Sequence, residues 1–128
     1  MTDASRPCLI VCVTCRSGRD LAEGEAPAGA LLHAALADRL TGTAPPPAIE
    51  LRSTSCLANC ERGCSAAIAM PGKWTYVLGH LSASSAADLL LYAAAYAAAP
   101  TGSVMPSRRP ASLARMVIAR IPPLEFAA

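Results

Sequence analysis

Leu9-Ile10-Val11-Cys12-Val13-Thr14-Cys15 is a β-branched apolar run that closes in a Cys-x2-Cys. Residues 9–13 are short and apolar enough for a buried strand, which leaves Cys12 at the strand's end and Cys15 in the loop that follows. Downstream, Pro27 suits the first position of a helix. Leu32, Ala35, Leu36 and Leu40 then recur at helical spacing, with His33 and Arg39 on the wetter side and Gly42 as the stop. Pro45-Pro46-Pro47 blocks continuation, and Ile49-Glu50-Leu51-Arg52-Ser53 alternates apolar and charged side chains as a half-covered strand does. The pattern predicts a strand–helix–strand unit with parallel strands and a right-handed crossover.

Immediately after the second strand comes Ser55-Cys56-Leu57-Ala58-Asn59-Cys60-Glu61-Arg62-Gly63-Cys64, a Cys-x3-Cys-x3-Cys. Both cysteine clusters therefore follow the C-terminal ends of neighbouring parallel strands, the end of an α/β sheet where ligand sites form. Some forty residues separate them along the chain, yet the topology alone predicts that they are close in space.

Ala66–Met70 and Trp74–Leu78 flank Pro71-Gly72-Lys73 and read as a hairpin with a type II turn. Ser82 or Ser84 is a cap for a last helix, with Ser85-x-x-Asp88 as a capping box. Leu89, Tyr92 and Tyr96 share one face of that helix, and Pro100 and Gly102 end it. Residues 101–128 are of another kind, broken by Pro106, Pro110, Pro122 and Pro123 and made basic by Arg108, Arg109, Arg115 and Arg120, with a short helix expected over Ala111–Ala119. The organisation expected is a disordered leader over 1–7, one α/β domain over 8–99 and a Pro/Arg-rich C-terminal extension over 100–128. The fold class expected is a small mixed sheet flanked by helices.

Hydrophobic residues make up 53% of the chain but aromatics only 4%, so the core should be aliphatic and rich in small side chains. A net charge of +2 is too small for a nucleic-acid binder. Ten Arg against one Lys reads as a GC-rich coding bias rather than phosphate recognition. Residues 86–99 are apolar but too short, too Ala-rich and too interrupted by Asp88 for a membrane span. The start of the sequence carries no secretory pattern. The location expected is cytoplasmic, where disulfides are disfavoured, and six cysteines there point to metal or redox chemistry.

Thiolates are the ligands of zinc and of iron–sulfur clusters. Cys56 and Cys60, two thiols in a polar turn, have no packing reason to exist. Cys12 and Cys15 complete a set of four, and Cys64 is an alternative ligand. Cys8, on an apolar strand, reads as a small buried hydrophobe. His33 and His80 read as surface or turn residues, and Trp74 and Tyr76 as hairpin core. Three uses of the cysteines stand at this point: a cluster-bearing electron carrier, a four-cysteine Zn2+ site or metal-delivery module, and a thioredoxin-type dithiol at Cys12 and Cys15. Against the dithiol, that motif normally leads straight into a helix, and here a Gly- and charge-rich loop intervenes. Neither paired carboxylates, a Gly-rich phosphate loop nor a Ser–His–Asp arrangement is present in context, so a carrier or binding module is expected rather than an enzyme. Its partner would be a redox or metal-handling protein, with no nucleic acid and no membrane. The Ala-rich last helix fits either a homodimer contact or a cover for the sheet.

The order strand, helix, strand, cysteine loop, hairpin, helix resembles the thioredoxin-like [2Fe-2S] ferredoxins, and Cys56-Leu57-Ala58-Asn59-Cys60-Glu61-Arg62-Gly63 is similar to their second ligand pair. Over residues 8–98 the chain also resembles an uncharacterised bacterial family of predicted metal-binding proteins. There the resemblance rests on Val11–Arg16, Cys56–Cys64 and Pro71-Gly72-Lys73-Trp74-Thr75-Tyr76. The resemblance implies a thioredoxin-like βαβ-ββα fold, a [2Fe-2S] cluster and ligation by Cys12, Cys15, Cys56 and Cys60. The chain departs from the ferredoxins at two places. Two residues separate Cys12 from Cys15 where the ferredoxins have four or more, and Cys64 stands where they have a proline.

Overall fold

The computed structural model describes residues 6–16, 20–41, 49–58 and 62–123. Its elements are β1 (Cys8–Cys12), α1 (Ala28–Thr41), β2 (Glu50–Thr54), β3 (Ala66–Ala69), β4 (Thr75–Leu78), α2 (Ala86–Ala98) and β5 (Val117–Ile121). The strands form one sheet in the order β2-β1-β3-β4-β5. β1 and β2 are parallel, with Cys8 opposite Glu50 and Cys12 opposite Thr54. The remaining pairs are antiparallel. The mixed α/β fold and the strand–helix–strand opening match the sequence expectation.

Alternation assigns the faces. Leu9, Val11, Ala66, Ile68, Tyr76 and Leu78 lie in register on one face and are all fully buried. α2 covers that face, since Tyr92 and Tyr96 meet the Tyr76 ring edge-on at 5.7 and 6.2 Å between centroids. α1 packs beside α2, contributing buried Leu32 and Leu36. Cys8, Ile10 and Ala69 point to the opposite, half-open face. Trp74 is half-buried beneath Arg120, whose guanidinium lies 4.2 Å from the centre of the indole.

The hairpin turn is as its residues require: Lys73 N–H donates to the Met70 carbonyl, and Gly72 takes φ +76°. The Ser85–Asp88 capping box does not form. Ser85 precedes α2 without a side-chain cap, its Oγ accepts from Ser82 N–H, and Asp88 accepts instead from Ser112 Oγ at 2.5 Å.

Residues 101–123 differ from the expected extension in structure. The helix predicted over Ala111–Ala119 is a single 3-10 turn at Ala111–Leu113, followed by β5 on the free edge of β4. Two β-branched residues, Val117 and Ile118, suit the strand better than the helix. Val104 and Leu113 are buried, Val104 N–H donates to Tyr76 Oη, and Arg109 donates to the carbonyls of Val104 and Ala114. At the other end Pro7 is buried, and its carbonyl accepts Glu50 N–H, which closes the first pair of the β1–β2 ladder, Cys8 opposite Glu50. The expected stop at Gly42 lies outside the described residues.

Candidate metal centre

Three chain segments meet at the C-terminal ends of β1 and β2. Cys12 ends β1, Ser55-Cys56 follows β2, and Cys64-Ser65 leads into β3, whose start lies at this end because it runs antiparallel to β1. Backbone bonds pin the junction. Cys12 N–H donates to Ser65 O at 3.1 Å, and Val13 N–H to Thr54 O at 3.0 Å. The Ser55 carbonyl accepts from Thr14 Oγ1 and lies 3.7 Å from Cys12 Sγ. The first cysteine loop is thus tied to the residue that precedes Cys56.

Cys15 is buried, with 4% of its surface exposed, although it lies in a loop. α1 explains this. Gly29 N–H donates to Cys15 O at 2.9 Å, so the helix N-terminus closes over the loop some twelve residues after leaving it. Gly29 permits the approach: a Cβ there would fall 1.9 Å from Cys12 O and 3.3 Å from Cys15 Cβ. The N-terminal end of a helix favours negative charge, which suits a thiolate site. The helix that was missing from the Cys12–Cys15 motif in sequence is therefore present in space. Sequence reasoning passed over Gly29; its one signal is a glycine inside an otherwise Ala- and Leu-rich helix.

The remaining cysteines differ. Cys56 is exposed and its sulfur accepts Ala58 N–H at 3.2 Å, with Ala58 in the left-handed region at φ 57°. Cys64 is fully buried and exchanges both backbone hydrogen bonds with Leu81, at 3.1 and 3.0 Å. Cys60 lies outside the described residues, as do Arg19 and Glu61. Cys8 sits at the other end of β1, about 13 Å away at ordinary strand rise. Burial pushes its thiol up, Arg52 pulls the other way, and Glu50 adds to the rise. Cys8, Cys12, Cys15 and Cys56 form no disulfide, and among the described residues no three Cys, His, Asp or Glu side chains gather into a donor set. Cys12 is brought to the Ser55-Cys56 turn, α1 holds the Cys15 loop against Cys12, and Cys8 is kept apart. His33 is half-buried and His80 is exposed with φ 55°. Arg16 beside Cys15 and Arg62 near Cys64 are both exposed.

The described residues contain no helix long and apolar enough to cross a membrane. No curated protein matches the sequence. Among solved structures the chain is similar to a thioredoxin-like [2Fe-2S] ferredoxin from Aquifex aeolicus, at 15% identity and a TM-score of 0.57, covering 94% of this chain and 98% of that one. That likeness confirms the thioredoxin-like fold. The family model described as protein of unknown function (DUF1636) matches residues 9–123, β5 included, and this chain belongs to that family.

Proposed function

We propose that this chain is a [2Fe-2S] electron carrier whose cluster is held by Cys12, Cys15, Cys56 and Cys60, with Cys64 as the alternative fourth ligand. The observation that carries the reading is the convergence of Cys12 on the Ser55-Cys56 turn, with Cys15 buried beside it under the N-terminus of α1. The donor chemistry fits: Cys12, Cys15 and Cys56 are soft thiols that form no disulfide, the first two lie against the start of α1, and the fold is one that carries such a cluster in another protein. When bound, the cluster supplies one-electron transfer. The chain's own residues do the rest. Buried Cys12 and Cys15 keep water from the inner side, and Gly29 lets α1 clamp their loop. Exposed Cys56 is the edge at which a redox partner gains access.

Anaerobic purification with an absorption spectrum and iron, sulfide and zinc analysis tests this. A red-brown protein with charge-transfer bands and equal iron and sulfide is expected. A colourless protein holding stoichiometric zinc would assign the thiols to a structural or delivery site instead, and a colourless protein without metal would sink both readings.

A further inference from the structure

We infer that the outer face of α2 is the interface of a two-fold dimer, with a second copy of this chain as its occupant. Leu89, Tyr92, Ala93 and Tyr96 take the inner face of the helix. At 3.6 residues per turn, Ala87, Leu91, Ala94 and Ala98 fall within roughly 60° of one another on the side directly opposite. Leu91 is 61% exposed, one of the few large apolar side chains left open to solvent. Asp88 is the one charged residue in the whole of α2, so nothing on this outer stripe repels an apolar neighbour.

The order of the four residues selects the partner. Their spacings are four, three and four, which reads the same in both directions. An antiparallel two-fold therefore sets Leu91 of each copy against Ala94 of the other, and Ala87 against Ala98. Each large side chain meets a small one, and the alanines let the axes close to about 8 Å.

Charge points to the same register. Ser112 bonds Asp88 through Oδ2, which places the turn at Ala111–Leu113 along the flank of α2 that carries Asp88 and Ala95. Exposed Arg108 lines a cavity of 260 Å³ together with Ala95 and Ala98, so it stands on that same flank, at the other end of the helix. The two-fold axis keeps the flank and reverses the helix. Arg108 of one copy then lies beside Asp88 of the other, twice per dimer. A parallel two-fold would carry this flank to opposite sides of the helix pair and leave both Arg108–Asp88 pairs unmade.

Sedimentation velocity on the purified chain over a concentration series tests the inference, with circular dichroism to verify folding. A concentration-dependent dimer is expected. Leu91→Glu, at an exposed position, should leave the spectrum unchanged and shift the chain to monomer. Arg108→Glu should weaken the dimer roughly tenfold at low salt, and Asp88→Lys combined with Arg108→Glu should recover most of that loss. A wild-type chain that stays monomeric at its highest soluble concentration overturns the inference. So does a dimer indifferent to Leu91→Glu, which would lie on another face such as the half-open side of the sheet. A double reversal no stronger than Arg108→Glu alone would overturn the antiparallel register.

Discussion

At the scale of single residues, the cysteines divide by position along the same strand. Cys12→Ser or Cys56→Ser should abolish metal or cluster retention, because serine removes a soft ligand at a junction that the Ser55 carbonyl holds in place. Cys8→Ala, at the far end of β1, should leave metal content per chain unchanged. Elemental analysis of the three variants decides, and metal loss in Cys8→Ala would break the ligand set. Gly29→Ala tests the clamp. The new methyl would meet Cys12 O at 1.9 Å, so backbone must move. A loss of roughly 1–3 kcal/mol is expected from such overpacking, against a gain of about 1 kcal/mol in helix propensity. The loop moves with it, so metal retention should also fall. Unchanged denaturation and unchanged metal content together would show that α1 does not hold the Cys12–Cys15 loop.

At the scale of elements, α2 and β4 join through three tyrosines whose environments differ. Burial pushes Tyr92 up to about 12, tempered by Arg109, and its hydroxyl is buried without a hydrogen-bond partner. Burial likewise pushes Tyr96 up to about 12, while its hydroxyl donates to Trp74 O at 2.6 Å. Burial also acts to raise Tyr76, but the hydrogen bond from Val104 N–H, with Ser103 and Arg120, outweighs it and the group is lowered. A phenol whose pKa rises on folding stabilises the native state below its unfolded pKa, near 10, and loses that contribution as pH climbs through about 12. Stability should therefore fall between these values, by something on the order of 2 kcal/mol for each raised tyrosine, with Tyr76 opposing. Tyr92→Phe should flatten the fall and, by removing an unpartnered buried hydroxyl, be neutral or stabilising by up to about 1 kcal/mol at neutral pH. Urea melts of wild type and variant from neutral pH to pH 11.5 are the measurement. A steeper alkaline loss in the variant would contradict the assignment. The end of α2 is held as tightly: Gly102 has φ +78°, and a Cβ there would lie 2.7 Å from Tyr96 Cε2. The sharp return of the chain into the β5 segment thus depends on glycine.

At the scale of the whole molecule, the segment after α2 belongs to the same core. It covers the edge of β4 with β5, buries Val104 and Leu113, and sets Arg109 5.9 Å from the centre of the Tyr76 ring. The other sheet edge, β2, is protected differently, by the charges of Glu50 and Arg52, which bond each other at 2.6 Å. A chain ending after Pro100 should lose at least about 3 kcal/mol, the transfer value of two buried aliphatic side chains, and expose an apolar strand edge. It is expected to melt well below the full chain and to aggregate, as thermal melts and size-exclusion chromatography would show. A truncated chain as stable as the full one would mean that β5 is an ornament on a complete fold.

Local pattern was enough for β1, α1, β2 and the hairpin, because periodicity and turn residues act over a few positions. Val11 through Cys15 and Ile49 through Ser55 together also determined that the end of β1 at Cys12 lies beside the Ser55-Cys56 turn, since parallel neighbouring strands joined by one helix end side by side. Other features depend on partners that are distant in sequence, and only the tertiary structure decided them. Val117–Ile121 is a strand because the edge of β4 was open to it. Asp88 serves Ser112 rather than its own helix cap because the returning chain brings a hydroxyl within 2.5 Å. Gly29 matters because α1 folds back onto Cys15 after a loop whose length conceals the contact. The spacing of Leu89, Tyr92 and Tyr96 already marked the inner face of α2, but what that face meets, the Tyr76 ring on β4, was set by the tertiary fold, which left Leu91 outside.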